Sequence, residues 1–474
     1  MPSKGIHAYT YIAVPDCSIE LSTPKQQIIH RDLRRFRADG LEVESRNIDS
    51  FFDKRGRFTF KVVYQGEVIT EQWTTVNAIT GDAKDGTLTN IMDSPAILHR
   101  DELIICFGFY EAGTGKAQLP NRHQCYITVT PNCSNWMGNL APPGSAAAHR
   151  PFRCFALPSP HDAGMNSMHS TNAVLEHVGG AIVGTLVGER FRKPMAAIAN
   201  AISGKAIEKI APHIVHSLAI TQKDSLGTML ALGARYFEYR PAHCHEAIIP
   251  CGALPDRLYF QHSAIPGMGY EEFLCEVVDF LLAHTEEIVV VQIRWDGVPP
   301  ECKRPDEGEQ KEYIDIAMKR AGDRLCAGTL DDLRNRTTEE LRGARKRLIM
   351  LVNVRSLSTY TDAGNATLNG DSIVDAFAEM LVAKNHGRGI INIQCQATAT
   401  NIPEVVVYSV VSAGTSTSCI LATKAICDSK TLPWVRDHAA VACGERDLLV
   451  LMNDFLDGAT VDVAIELSRQ RLHC

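Results

Sequence analysis

The sequence predicts an α/β protein: a (β/α)8 TIM-type barrel preceded by an N-terminal antiparallel β-sandwich. Three observations carry that expectation. Strand-like and helix-like patterns alternate from residue 150 onward, as a parallel α/β barrel requires. Residues 1–140 instead hold short β-rich runs parted by turn residues, with few helical patterns. Between them, Asn139–His149 is rich in Pro, Gly and Ala and shows no periodicity. The expected domains are therefore a sandwich over 1–140, a linker over 141–150 and the barrel over 151–474.

The sandwich runs are Ala8–Val14, Arg57–Tyr64, Glu67–Thr75, Glu102–Phe109 and His123–Thr130. Gln65-Gly66 supplies a hairpin turn between two of them. In the barrel the strand-like runs are Phe152–Leu157, Gly233–Pro241, Leu258–His262, Glu287–Ile293, Arg347–Asn353, Gly389–Gln394 and Leu448–Asp454. Segment 165–220 is far longer than the roughly 30 residues of a βαβ unit. Within it Ile198, Ile202, Ile207, Ile210, Ile214 and Leu218 fall close to helical spacing, after the small, apolar Val178–Val187. An extra helical pair packed on the barrel or the sandwich is expected there. The alternative is a lid that touches a lipid interface.

At 474 residues the chain exceeds one ordinary domain, and 45% hydrophobic with 22% charged residues is the composition of a globular protein in water. A net charge of −7, with no Lys/Arg run, argues against a nucleic-acid partner. The same charge opposes anionic membranes and leaves only a transient, local contact with a membrane surface. Fifteen cysteines, an odd count without paired spacing, read as free thiols in a reducing compartment rather than as a disulfide framework. Neither a signal-peptide core in Met1–Ala8 nor a run of roughly 18 apolar residues is present. A cytoplasmic location is the default expectation, with secretion left open.

The chemistry concentrates at strand ends. His161 follows the run Phe152–Leu157, Arg240 closes the second run, and His262 closes the third. A neutral imidazole can remove a proton, a protonated one can supply it, and a guanidinium can hold an anion between them. That is the equipment of an enzyme cleaving a phosphodiester. Two imidazoles also predict a bell-shaped pH profile, curved between about pH 5 and 8.

Several stretches, taken in order, resemble the X-type catalytic domain of phosphatidylinositol-specific phospholipases C, in the wider superfamily of phospholipase-C-like phosphodiesterases. They are His161-Asp162, Thr221-Gln222 before an amphipathic helix, Leu232–Pro241, Phe260-Gln261-His262, and Phe273–Leu282 followed by Glu287–Gln292. The match covers residues 152–300, weakens through the middle and returns near Leu448–Phe455. The resemblance implies that His161 is the general base and His262 the general acid, with Asp162 paired to His262. It also implies an acidic residue on the last strand that orients His161, namely Asp454, with Asp457 as the fallback. Animal-type members bind calcium with a Glu and an Asp in the second strand, and bacterial members place an Arg where that Asp stands. Here Glu238 holds the first position and Arg240 the second. The resemblance therefore implies metal-independent cleavage without a cofactor, and calcium or magnesium at Glu238 is the alternative.

Other candidates follow. Arg294 and Trp295 close the fourth strand, where relatives place a basic residue facing substrate, and Asn353 and Arg355 close the next. With Glu238, these are the expected substrate contacts. His243-Cys244-His245 with Cys251 offers zinc-type ligands, but without a finger spacing it reads as a loop between strands. Where inositol-specific relatives carry Asp and then Tyr, this chain reads Gln394-Cys395-Gln396-Ala397, so inositol as head group does not follow. The implied substrate is a phospholipid or related small phosphodiester. Two other readings stand beside it: a catalytically weak barrel serving as a lipid- or glycan-binding or toxin-like module, and a metal-dependent glycerophosphodiesterase or sphingomyelinase-D-like relative.

Overall fold

The computed structural model describes residues 5–473 apart from 49–53, 89–93, 113–119, 180–181, 183–185, 187–203, 362–364, 368–369, 382–386, 388 and 399–417. Of the apolar stripe expected in 165–220, Ile198 and Ile202 lie outside the described residues, as does most of Val178–Val187. The remainder of the stripe falls on a helix, Gly204–Ala219, with Ile214 buried.

The N-terminal part forms two five-stranded sheets. The first has the order β4(Arg37–Glu42), β1(Gly5–Ile12), β10(His123–Pro131), β9(Leu103–Tyr110), β8(Ile97–His99). The second runs β3(Gln27–His30), β2(Cys17–Ser22), β5(Arg55–Tyr64), β6(Glu67–Asn77), β7(Ala83–Gly86). Gln65 and Gly66 both take positive φ, 50° and 84°, as a two-residue hairpin between β5 and β6 requires. Ile6, Ile19, Phe60, Phe107 and Ile127, drawn from both sheets, share one buried core. The pairing corrects one expectation. β1 lies parallel to β10, so the first sheet is mixed rather than antiparallel. The whole second sheet separates these strands in sequence, and without a tight hairpin their relative direction is free.

β9 and β10 are buried on both faces. Leu103, Ile105 and Phe107 point into the core shared by the two sheets, whereas Ile104, Cys106 and Tyr126 point into the core of the C-terminal part. The helices Cys419–Cys443 and Gly458–Leu472 pack against that second face. Gly458 is required there, because a Cβ would stand 2.3 Å from the Thr130 side chain. The stretch read as a linker is also packed, with Ala141, Ala147 and Ala148 buried in the same core.

The C-terminal part alternates strands and helices. Eight strands pair in parallel: β11(Ala156–Pro160), β12(Tyr236–Tyr239), β16(Val289–Ile293), β17(Ala327–Gly328), β18(Leu348–Val352), β19(Leu357–Ser358), β20(Ile390–Gln394) and β21(Leu448–Asn453). Among the described residues they do not close into one hydrogen-bonded ring. They form two sheets, ordered β11-β21-β20-β19 and β12-β16-β18-β17. Proline explains one break. The His161 N–H donates to the Asn453 carbonyl on the β21 side, so by alternation residues 158 and 160 face β12, and both are prolines without an N–H. A single bond crosses that seam, from the Arg235 N–H to the Pro158 carbonyl at 3.0 Å.

The run ending in His262 is a second correction. It is not a parallel barrel strand but β14(Tyr259–His262), in a small antiparallel sheet with β13(Pro241–Ala242) and β15(Ile265–Gly269). Ser263, at φ 55°, lets the chain reverse in two residues. No helix among the described residues is long and apolar enough to cross a membrane.

At the end of the parallel strands away from His161, Arg235 is fully buried. It bonds Glu287 through Nε at 2.7 Å and the carbonyls of Leu230, Ala234, Cys133 and Ser134 through its two terminal nitrogens. Arg235→Met removes every one of these bonds and leaves Glu287 charged in the core. Chemical denaturation should show a loss of ~3–5 kcal/mol.

Candidate active site

The site begins where β11 ends. Asp162 sits at φ 46° and Phe455, just past β21, at φ 43°, a left-handed backbone that ordinary residues adopt only under constraint. The constraint is local. The Thr221 hydroxyl donates to the carbonyls of His161 (3.0 Å) and Asp162 (3.2 Å), and the Thr221 carbonyl accepts the Phe455 N–H at 2.6 Å. Gln222 donates to the carbonyls of His161 and Asn453 and accepts from Leu456 N–H. Thr221-Gln222 thus fixes the two turns that carry His161 and Asp454.

His161 Nδ1 lies 2.8 Å from Asp454 Oδ1, and its Nε2 lies 3.7 Å from Asp162 Oδ1. His262 Nε2 lies 3.6 Å from Asp162 Oδ2, and Arg240 Nη2 lies 2.7 Å from Asp162 Oδ1. Asp162 is therefore a buried carboxylate, 1% exposed, ringed by two imidazoles and a guanidinium. Both His side chains keep an opening to solvent, at 21% and 28% exposure. Asp457 is not near His161. It caps the last helix through the Thr460 N–H and faces Lys424 at 3.5 Å.

Beneath Asp454 the support is polar and buried. Asn453 Oδ1 accepts the Asp454 N–H, while its Nδ2 donates to Asp428 and to the Thr460 hydroxyl. Lys424 closes the network on Asp428 at 2.7 Å. Asp428 and Lys424, within the helix Cys419–Cys443, carry no motif that marks them in the sequence.

The second ring of charge is built on Glu238. Its Oε1 accepts from Arg240 Nε and Nη2 at 3.1 and 2.8 Å, and its Oε2 accepts from Arg294 Nη1 at 2.8 Å. Arg294 also binds Asp296 through Nε at 2.5 Å. Glu238 is thus buried between two guanidiniums, and Arg294 is brought to the site by it. Trp295 is nearly buried and donates its indole N–H to the Pro241 carbonyl at 2.7 Å, which places it under the rim. Asn353 and Arg355 are exposed beyond β18, Asn353 at φ 51°. Gln394 and Gln396 bond one another at 2.6 Å on the far side of β21. In the loop carrying the zinc-type residues, both His243 nitrogens lie against carboxylates, Asp256 at 3.1 Å and Glu309 at 2.9 Å. No group of three or more His, Cys, Asp or Glu able to hold a metal ion occurs among the described residues.

The charges set the protonation pattern. Burial alone would lower the His161 pKa, but Asp162 and Asp454 outweigh it and raise it to about 9. His262 is pushed down to about 4, first by burial and then by Arg240 and His161, against the opposing pull of Asp162. Burial works to raise Asp162, yet Arg240 and the two imidazoles bring it down to about 2. At neutral pH the unliganded site holds His161 as imidazolium and His262 neutral.

No family model matches this chain, and no curated protein matches it. Among solved structures it is similar to the phosphatidylinositol-specific phospholipase C from Listeria monocytogenes, with 13% identity over 71% of this chain and 98% of that one, at TM-score 0.38. A mutant of the phosphatidylinositol-specific phospholipase C from Staphylococcus aureus gives 13% identity over 71% and 98%, at TM-score 0.41.

Asp454→Asn removes the carboxylate on His161 Nδ1. The His161 midpoint, followed by imidazole NMR, should fall from about 9 toward 6.5. Because the folded pKa is the higher one, the pair stabilises the fold below pH 6.5 and loses that contribution as pH rises through about 9. The stability gap between wild type and Asp454→Asn should therefore shrink across that window.

Proposed function

We propose that this site cleaves a phosphodiester, in a phospholipid or a related small phosphodiester, by two-histidine acid–base catalysis. One observation carries the reading: two imidazole Nε2 atoms and the Arg240 guanidinium converge on the two oxygens of one buried carboxylate. Few other reactions call for two proton-transfer groups facing one another beside a fixed positive charge.

In the reaction, His161 takes the proton from the attacking hydroxyl, either one on the head group or a water. Arg240 holds the phosphate oxygens, with its Nε and Nη2 braced by Glu238. His262 returns a proton to the departing alkoxide, releasing a diacylglycerol-like alcohol and a cyclic or open phosphate. Asp454 keeps the His161 ring in place and stabilises the imidazolium that forms. Arg294, bound to the same Glu238, adds a second positive charge at the rim.

These roles need neutral His161 and protonated His262, which is the resting pattern with one proton moved. Asp162 lies between the two Nε2 atoms, and a phosphate anion beside His262 favours the moved proton. Both arrangements carry the same net proton count, so they titrate together. The limbs of kcat/KM should then lie near 4 and 9, with a plateau from about pH 5 to 8. This replaces the curved profile expected from ordinary imidazoles. A steep limb near pH 6.5 would contradict the charge pattern of the site.

A cation is not needed in this scheme. A metal at Glu238 would face two guanidiniums already bound to that carboxylate. Hydrolysis of phosphatidylinositol, phosphatidylcholine, lysolipids and glycerophosphodiesters, with and without a chelator, tests the reading. Chelator-resistant turnover is expected, with His161→Ala reduced ~10²–10⁴-fold and Arg240→Ala reduced by about 10²-fold or more. Turnover lost to chelator would move the charge to a metal at Glu238. No turnover on any member of the panel would overturn the proposal and favour a binding module.

A further inference from the structure

The tetrapeptide Thr221–Asp224 divides its contacts between two parts of the molecule. Its first two residues grip the active-site turns: Thr221 and Gln222 bond the backbone of His161, Asp162, Asn453, Phe455 and Leu456. Their own N–H groups both donate to the Met165 carbonyl. The next two residues grip the N-terminal part. Lys223 Nζ donates to the Ser94 carbonyl at 2.7 Å, and Asp224 Oδ1 accepts the Ala96 N–H at 2.7 Å. Lys223 also bonds Asp224 at 3.1 Å and lies 5.9 Å over the Phe107 ring of β9. All four residues are buried, at 2%, 1%, 6% and 3% exposure.

A buried charged pair spent on two backbone groups of another part is a stiff connection. Displacing either group leaves a desolvated charge unpartnered, so the joint resists small movements. Successive residues of a short segment cannot shift independently, and motion at Asp224 reaches Thr221 within about 10 Å of chain. At its far end stand two left-handed turns, at Asp162 and Phe455, and Thr221 bonds the backbone of both.

We infer that Thr221–Asp224 is a positioning strut through which the N-terminal sheets set the alignment of His161 with Asp454. The N-terminal part is then a working component of the catalytic centre rather than an appended module. Lys223 and Asp224 are positioning residues, acting through Thr221 and Gln222. The kinetic arm of the test below rests on the function proposed above, while its spectroscopic arm does not.

The experiment follows the His161 ring by NMR in the full chain, its signal assigned by loss in His161→Ala, alongside turnover of the best panel substrate. Asp224→Ala should lower the His161 midpoint by about one pH unit or more, since a loosened Asp454 contact weakens the charged form. It should cut kcat roughly 10- to 100-fold with KM little changed, as misplacement of a reacting group does. Asp224→Asn keeps the acceptor for the Ala96 N–H and should stay near wild type. Tyr11→Phe loosens the same interface elsewhere, at its 2.8 Å bond to Asp462, and should leave both readings unchanged. Should Asp224→Ala fail to fold, Ala96→Pro withdraws the same N–H from the other side. A wild-type His161 midpoint in the Asp224→Ala or Ala96→Pro protein overturns the strut, as does an equal change in Tyr11→Phe. Absence of turnover in the wild type counts against the proposed reaction alone, and the NMR comparison still decides the strut.

Discussion

The Asp162 carboxylate is the charge around which the rest of this site is arranged. It is buried, and an isolated ionised carboxylate in that position would be strongly unfavourable. Arg240, His161 and His262 offset that cost, and each is drawn to its place by the same charge. Asp162 sits in a left-handed turn, and its carbonyl and that of His161 are bonded by Thr221. One carboxylate therefore sets the spacing of two imidazoles, lowers the pKa of neither, and separates them in protonation by working with Asp454 on one and against Arg240 on the other. A second carboxylate, Glu238, does for the two arginines what Asp162 does for the histidines.

Much of this was legible in the sequence, for identifiable reasons. β9 is a nearly unbroken apolar run, and β10 alternates Cys125, Ile127 and Val129 with Gln124, Thr128 and Thr130; both patterns read as strands. The strand-end placement of His161, Arg240 and Asp454 followed from polar residues closing apolar runs. Edge strands were harder. Gln27–His30, Arg37–Glu42 and Ala83–Gly86 are short, polar and half exposed, so no hydrophobic period marks them. Pairing direction was not legible at all. Leu258–Gln261 has the apolar character of a barrel strand, but only the turn at Ser263 and the partner at Ile265–Gly269 make it antiparallel. The β11–β12 seam was visible in principle, since Pro158 and Pro160 stand two apart in a strand.

The side chains that meet at the site stand out in the sequence, and their wiring does not. A histidine beside an aspartate in sequence does not reveal that one carboxylate will face both imidazoles. Glu238 on β12 and Arg240 just past its end stand two residues apart in the sequence, so their bond is a local one. The reach of Arg294 to Glu238 depends on β12 pairing with β16, which is tertiary information. The same holds for the polar support under Asp454, where Lys424 and Asp428 come from a helix that also packs on the N-terminal sheet. The support of the site and the packing on the N-terminal sheet thus share one helix. Trp136, Arg235 and Glu287 tie the chain at the other end of the strands, so that the sheets are held at both ends.

The most direct test of the central claim is a crystal structure of the full chain with a non-hydrolysable phosphonate analogue of the best phosphodiester. The phosphonate oxygens should lie within hydrogen-bonding distance of Arg240, with the His161 and His262 Nε2 atoms on opposite sides of the phosphorus. An analogue seated elsewhere at saturation, or one held by Glu238 through a metal with Arg240 displaced, would contradict it.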